Sequence, residues 1–238
     1  MLQFSAFDGA LLVDKPPGCT SHDVVDRVRR RFGIKKVGHC GTLDPAATGL
    51  LMLVLGQATR LSDKFMAADK VYEGDLKLGE ATDSYDADGE ITASLPVPPI
   101  TLEQLNAEAD AFLGDQQQLP PMVSAVKIKG VPLYKLARKG QEVERTPRFV
   151  HIYSFRFSAY AEPIAHFRLA CTKGTYVRTI AHEIGQKLGC GAHLVGLRRL
   201  ASGKFDVADA HPLDTILSWD EAALTRAVIP FLKLKTFE

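Results

Sequence analysis

The sequence predicts a chain in which β-strands and helices are interspersed, and three stretches carry that expectation. Leu50 to Leu55 are consecutive apolar residues bounded by Gly49 and Gly56, the pattern of a strand buried on both faces. Lys70 to Gly79 alternates, with Tyr72, Gly74, Leu76 and Leu78 on one face and Glu73, Asp75 and Lys77 on the other, as in a half-buried strand. Val24, Val25, Val28 and Phe32 follow a Thr20-x-x-Asp23 capping box at helical spacing, so a helix should run to about Gly33.

The remaining elements follow in order. Gly9 to Val13 is a short apolar strand, turned by Asp14-Lys15-Pro16-Pro17-Gly18. The first helix carries Arg27, Arg29, Arg30 and Arg31, with Lys35 and Lys36 after it. A solvated face is the usual explanation of such a run, and the scarcity of interspersed acids favours an anionic partner. Thr82 to Gly89 superficially has the look of a calcium loop but fails, because the first ligand position is Ser84 and the last is Leu95. Thr101 to Leu113 is expected to be helical.

From Pro120 to Arg148 the residues Lys127, Lys129, Lys135, Arg138, Lys139, Arg145 and Arg148 oppose only Glu142 and Glu144, with Tyr134 among them. Cations interleaved with an aromatic suit a phosphate backbone and an unstacked base, while a merely soluble loop is the plainer explanation. Phe149–Phe157 and His166–Cys171 read as adjacent antiparallel strands. Lys173 to Arg178 opens a helix whose apolar stripe is Tyr176, Ile180, Ile184 and Leu188, with Arg178 off the stripe. A cation in a first turn opposes the helix dipole, so Arg178 with Lys173 calls for an anion, a carboxylate or a phosphate. Ala192–Leu200 is strand-like and ends in Arg198 and Arg199, and the tail from Pro212 is helical in part.

The 238 residues suffice for one large domain or two small ones, and 46% hydrophobic with 24% charged residues is an ordinary globular composition. Net charge is only +1, so nucleic-acid affinity must come from local clusters of the 29 basic residues. The four cysteines show no disulfide spacing. No apolar run approaches a membrane span and no basic leader precedes the first apolar segment, which places the protein in the cytoplasm. There is no phosphate loop, dinucleotide fingerprint or serine nucleophile elbow, so no nucleotide cofactor is expected. Cys19-x-x-His22 and Cys190-x-x-His193 lack a zinc-finger context, and no metal is expected.

Asp44 stands out in the loop between Gly38 and Gly49. It precedes Pro45, lies between Gly41 and Gly49, and is the only acid between Asp26 and Asp63, an interval rich in cations. A stiff, proline-bearing turn presents one side chain in one geometry, and positive surroundings favour its ionised form. An ionised Asp serves as nucleophile or orienter rather than as general acid. An isolated Asp-Pro is more commonly a cap or turn residue.

Five separated motifs resemble the bacterial tRNA pseudouridine-55 synthases, the TruB family. They are Asp14-Lys15-Pro16-x-Gly18-x-Thr20-Ser21, Gly38-His39-x-Gly41-Thr42-Leu43-Asp44-Pro45-x-Ala47-Thr48-Gly49, Tyr72 with Thr82-Asp83 to Gly89, Lys173-Gly174-Thr175-Tyr176-x-Arg178-Thr179, and Leu197-Arg198-Arg199. The resemblance implies an α+β pseudouridine-synthase fold with a bent, mostly antiparallel mixed sheet, flanking helices and a central cleft. It implies isomerisation of one uridine in the tRNA T loop without cofactor or metal. Asp44 would be the nucleophile, at the ribose C1′ or on the base. Tyr72 would stack on the flipped base and assist removal of the C5 proton, and Arg178 would pair with Asp44. His39 would support the distorted T loop, Leu197 would line the base pocket, and Lys15 and Tyr176 would lie against the substrate. Lys127 and Lys129 belong to the 120–148 insertion that clamps RNA in the family. Cys40 stands where a threonine is common. The resemblance further implies one catalytic domain over 1–238, a monomer, and an RNA-binding PUA domain absent or truncated beyond Glu238.

Overall fold

Thr48–Leu55 is buried over seven of its eight residues and has hydrogen-bonded strands on both edges. Gly9–Lys15 runs antiparallel to it, from Gly9 opposite Leu55 to Lys15 opposite Gly49. Val37–His39 pairs antiparallel with its end at Leu53–Leu55, and Arg198–Arg199 pair parallel with its start at Thr48–Gly49. Leu50, Met52 and Val54 on one face and Leu51, Leu53 and Leu55 on the other are all buried, which is why the stretch is uniformly apolar. The computed structural model describes residues 5–122, 124, 127–128, 131–132 and 143–236, and these form two compact units, residues 5–72 with 198–236 and residues 73–197.

In the first unit the capping box is in place. Asp23 N donates to Thr20 Oγ1 at 3.0 Å, and Thr20 N donates to Asp23 Oδ2 at 2.8 Å. The helix Ser21–Phe32 ends at Gly33, which takes a left-handed conformation with φ 62°. Its basic face is partly neutralised within the helix, because Asp26 lies 2.8 Å from Arg29 and 4.0 Å from Arg30. Arg31 donates to the carbonyls of Leu217 and Trp219 at the end of the short helix Leu213–Ser218. Asp26 offsets one charge of this face, and Arg30, 80% exposed, stays open to solvent. Apolar residues of the central strands, among them Leu12, Leu50, Met52 and Val54, pack with Phe65, Phe205 and Phe231 in one core. The tail is helical over 213–218, 221–227 and 231–234.

In the second unit the hydrogen-bonded order of strands is Ala192–Ser202 (its first half), Lys70–Leu78 (its second half), Ile164–Cys171, Arg148–Ala161 and Gly114–Gln118. The antiparallel pairing of Arg148–Ala161 with Ile164–Cys171 agrees with the alternating sequence, with irregularities at Ile152/Ser154 and Phe157/Ala159. Phe155, Phe157, Phe167 and Phe112 pack with ring centroids 5.2–6.4 Å apart. The helix expected over 101–113 stops at Asp110. Its last turn tightens through Phe112 N to Ala109 O and Leu113 N to Asp110 O, and Gly114 at φ 85° redirects the chain into a strand. The sequence leaves Gly74 open as a bulge or as space for a ligand. A Cβ there would lie 2.4 Å from Gly196 O and 2.8 Å from the Phe167 ring, so the glycine serves close packing and leaves no room for a ligand.

Both units combine helices with a largely antiparallel sheet, so the α+β fold class stands. Parallel pairs occur at Val13–Asp14 with His211–Pro212 and at Thr48–Gly49 with Arg198–Arg199.

Candidate active site

The loop from Cys40 to Ala47 is held from beneath by side chains that the protein buries completely or nearly so. Lys15 has no exposed surface, and its ammonium donates to Pro16 O at 2.9 Å, Pro45 O at 3.0 Å and Ala47 O at 2.7 Å. Three donors meet three carbonyls, which satisfies the ammonium where water cannot reach it. Arg199, 1% exposed, donates from Nε to Leu50 O at 2.7 Å and from Nη2 to Gly41 O at 3.1 Å. Ser21 Oγ donates to Leu43 O and accepts from Leu43 N, at 3.1 and 2.8 Å, and Gly18 N donates to Pro45 O at 2.9 Å. Asp44 therefore follows a residue tied at both its backbone groups and precedes one whose carbonyl is bonded twice. Its own side chain is half-buried, with Thr42, Pro45 and Ala46 exposed around it.

Gly49 closes the loop at φ 95°, where a Cβ would lie 2.3 Å from Arg199 O. Only glycine combines that backbone angle with that approach. Burial lowers the Lys15 pKa, opposed by the fields of Cys19 and Asp44 and reinforced by Arg199. His39, at the end of its strand, is also held below the ordinary imidazole value, by burial and then by Arg199 and His22. Burial pushes the Cys40 thiol up to about 12, so the residue packs as a neutral group. A depression of about 220 Å³ opens in the same unit, with Asp14, Lys15, Thr48 and Arg198 in its wall. Asp14 holds Arg198 through both carboxylate oxygens, at 3.0 and 2.8 Å. Tyr72, 9% exposed, faces inward on its strand, as the alternation requires.

Arg178, Tyr176 and Leu197 belong to the second unit. The sequence puts Arg178 off the apolar stripe, whereas the structure buries it to 4% exposure. One carboxylate lies against it, with Nη1 3.1 Å from Asp86 Oδ2 and also donating to Ser84 O at 3.2 Å. Asp86 and Ser84 are site residues that the sequence reading missed. The sequence places both in a segment that fails as a calcium loop and that shares the TruB motif Thr82-Asp83 to Gly89, but it gives neither residue a partner. Tyr176 is the residue before the helix Val177–Leu188 rather than part of its stripe. Gln118 brackets it, accepting from Tyr176 N at 2.6 Å and donating to Tyr176 O at 3.1 Å. Leu197 is half-buried. Lys127 lies in a two-residue strand paired with Val131–Pro132, while Lys129, Tyr134, Lys135, Arg138, Lys139 and Glu142 lie outside the described residues. Arg145 donates to Pro120 O at 3.0 Å. Among the described residues, no three His, Cys, Asp or Glu side chains gather as a metal site.

A family model described as the TruB family pseudouridylate synthase N-terminal domain matches residues 29–177, and a tRNA pseudouridylate synthase B C-terminal domain matches 178–233. The chain belongs to the TruB family. Among its TruB relatives, the tRNA pseudouridine synthase B of Opitutus terrae is 56% identical over 223 residues, 94% of this chain and 92% of the relative. That of Solibacter usitatus is 48% identical over 228 residues, 95% of this chain and 78% of the relative. A solved chain from a Cbf5–Nop10–Gar1 complex aligns with a TM-score of 0.74 at 28% identity, covering 96% of this chain and 61% of that one. The N-terminal TruB match includes His39, Asp44, Tyr72 and Tyr176, and the C-terminal match includes Arg178 and Leu197. In the described residues, no helix is long and apolar enough to cross a membrane.

Proposed function

We propose that this TruB-family isomerase converts uridine-55 in the T loop of tRNA to pseudouridine, with Asp44 as the nucleophile. The observation that carries the reading is the braced loop. A half-buried carboxylate rises from backbone that buried Lys15, Ser21 and Arg199 hold in place, so its geometry is set before the substrate arrives. The TruB names of the relatives support tRNA as the substrate.

The target nucleotide must leave its stack to meet Asp44, at a cost of about a few kcal/mol offset by stacking and phosphate contacts. In one route Asp44 attacks ribose C1′ and breaks the bond to N1. The freed uracil turns and bonds through C5, Asp44 leaves C1′, and the C5 proton is lost while N1 gains one. In the other, Asp44 adds to C6 of the base, the N1–C1′ bond breaks, the turned base bonds to C1′ through C5, and loss of the C5 proton expels Asp44 from C6 while N1 gains a proton. Either way the product is an isomer of the substrate and nothing is consumed. Tyr72 supplies the ring against the base and assists C5 deprotonation. Arg178 pairs with Asp44 and, having five N–H donors, is able to do so while Asp86 and Ser84 anchor Nη1.

His39 supports the opened T loop, Leu197 and Tyr176 line the base site, and Lys15 acts from beneath. Lys127 and Lys129 belong to a 120–148 clamp on the RNA. The catalytic domain spans the chain and works as a monomer on the T stem-loop. Tritium release from C5-tritiated uridine in tRNA tests the reading. Release by the parent protein, with none from Asp44→Asn while tRNA binding persists, is expected. A parent that binds tRNA and releases no tritium refutes it.

A further inference from the structure

Arg178 and His182 are one helical turn apart on Val177–Leu188, so both side chains lie on the same face. Opposite them is the turn Ser84-Tyr85-Asp86. Arg178 Nη1 takes the polar groups on either side of Tyr85, namely Ser84 O at 3.2 Å and Asp86 Oδ2 at 3.1 Å. His182 takes what lies between them, since its ring stacks on Tyr85 with centroids 3.9 Å apart and planes 18° apart. Tyr85 is the only described non-glycine residue at positive φ, 67°. A bulky residue occupies that region only where its surroundings enforce it. The enforcement is visible on both sides. Leu194 N donates to Tyr85 O at 3.0 Å, and Thr82 Oγ1 donates to Asp86 O at 2.7 Å. Asp86 Oδ1 is occupied by Ser84 Oγ and by Asp88 N.

The left-handed backbone turns Ser84 O and Asp86 towards one guanidinium nitrogen, and the ring stack opposes relaxation to an ordinary conformation. Burial keeps the His182 imidazole below its usual pKa, so the ring on Tyr85 is neutral. We propose that Tyr85 and His182 are positioning residues for Arg178, acting by stacking rather than by contact with substrate. The proposal rests on the reading that Arg178 serves Asp44 during isomerisation.

Four variants and two readouts test it. The first readout is single-turnover pseudouridine formation on a T-arm RNA, with KM and rate determined separately. The second is the linewidth and solvent exchange of the Arg178 Nε–H resonance, assigned from its loss in Arg178→Lys. His182→Ala should lower the rate about tenfold with KM within about twofold, because a loosened catalytic group costs rate rather than affinity. Its Arg178 signal should broaden and exchange faster. His182→Phe and Tyr85→Phe keep the stacked rings and should restore both readouts to near parent values. Tyr85→Gly relieves the backbone but removes the ring, and should behave like His182→Ala. A parent-like rate and a sharp Arg178 signal in a folded His182→Ala protein would overturn the proposal, as would failure of His182→Phe to rescue. If the parent itself forms no pseudouridine, the functional reading fails, and the resonance alone decides whether the stack positions Arg178.

Discussion

Arg178 and Asp86 form an ion pair of 3.1 Å whose cationic side chain is 5% exposed and whose anionic one is 19% exposed. Removing Asp86 takes one partner from a guanidinium that burial keeps from water, while Ser84 O still accepts from it. Asp86→Ala should therefore destabilise the protein by about 1–3 kcal/mol. Urea unfolding at pH 7 checks this, and a loss below about 1 kcal/mol would show that other groups solvate the cation. Because Arg178 loses an anchor, pseudouridine formation by the folded Asp86→Ala protein should fall as well.

Lys15→Met keeps most of the side-chain volume and deletes three hydrogen bonds to Pro16, Pro45 and Ala47. Losing them strands buried carbonyls, while removing a buried charge relieves some desolvation. The net loss of stability should be only about 1–3 kcal/mol. Turnover should fall by more than about tenfold, since the loop carrying Asp44 loses its brace. Unfolding and single-turnover rates measured on one preparation separate the two effects.

Gly49→Ala and Gly18→Ala make a matched pair, with φ values of 95° and 79°. At Gly18 a Cβ meets nothing within 4 Å, and the strained angle alone should cost about 1–2 kcal/mol. At Gly49 the Cβ meets Arg199 O at 2.3 Å and Arg199 N at 2.8 Å, so backbone must move. The loss there should exceed about 3 kcal/mol, seen as little soluble protein or a large fall in melting temperature.

Acid should destabilise the fold through His39 and His182. Both have folded pKa values below the ordinary 6.5 because of burial. As pH falls through 6.5 the unfolded chain takes up protons before the folded one, so stability falls with pH in that window. The loss is complete only below the folded values. His39→Gln should flatten the dependence of melting temperature on pH between about 7.5 and 5. An unchanged slope would assign the effect to other groups.

The elements most legible in the sequence were those whose cause is local. Capping at Thr20 and Asp23 needs residues three apart, and the apolar run at Leu50–Leu55 states its own burial. The TruB motifs make Asp44, Tyr72 and Arg178 candidates from the sequence itself. Long-range register was not legible. Arg199 reads as a cation at the end of a strand, and only its pairing opposite Gly49 puts its guanidinium under the loop at Gly41 and Leu50. Asp86 was hidden for a similar reason, since it lies 92 residues before Arg178 and depends on Tyr85 adopting a conformation that tyrosine rarely takes. The contacts of the arginines at 29–31 were likewise not legible, since Arg29 pairs with an acid in its own helix and Arg31 reaches carbonyls near Trp219.

The ammonium of Lys15 has every hydrogen committed and no surface open to solvent. An acylating reagent in the surrounding water meets exposed amines at once and this one only when Pro45 and Ala47 lift away from it. The residue is thus a built-in timer. The slow appearance of one modified lysine in a mass spectrum records how often the loop opens, with no RNA in the tube.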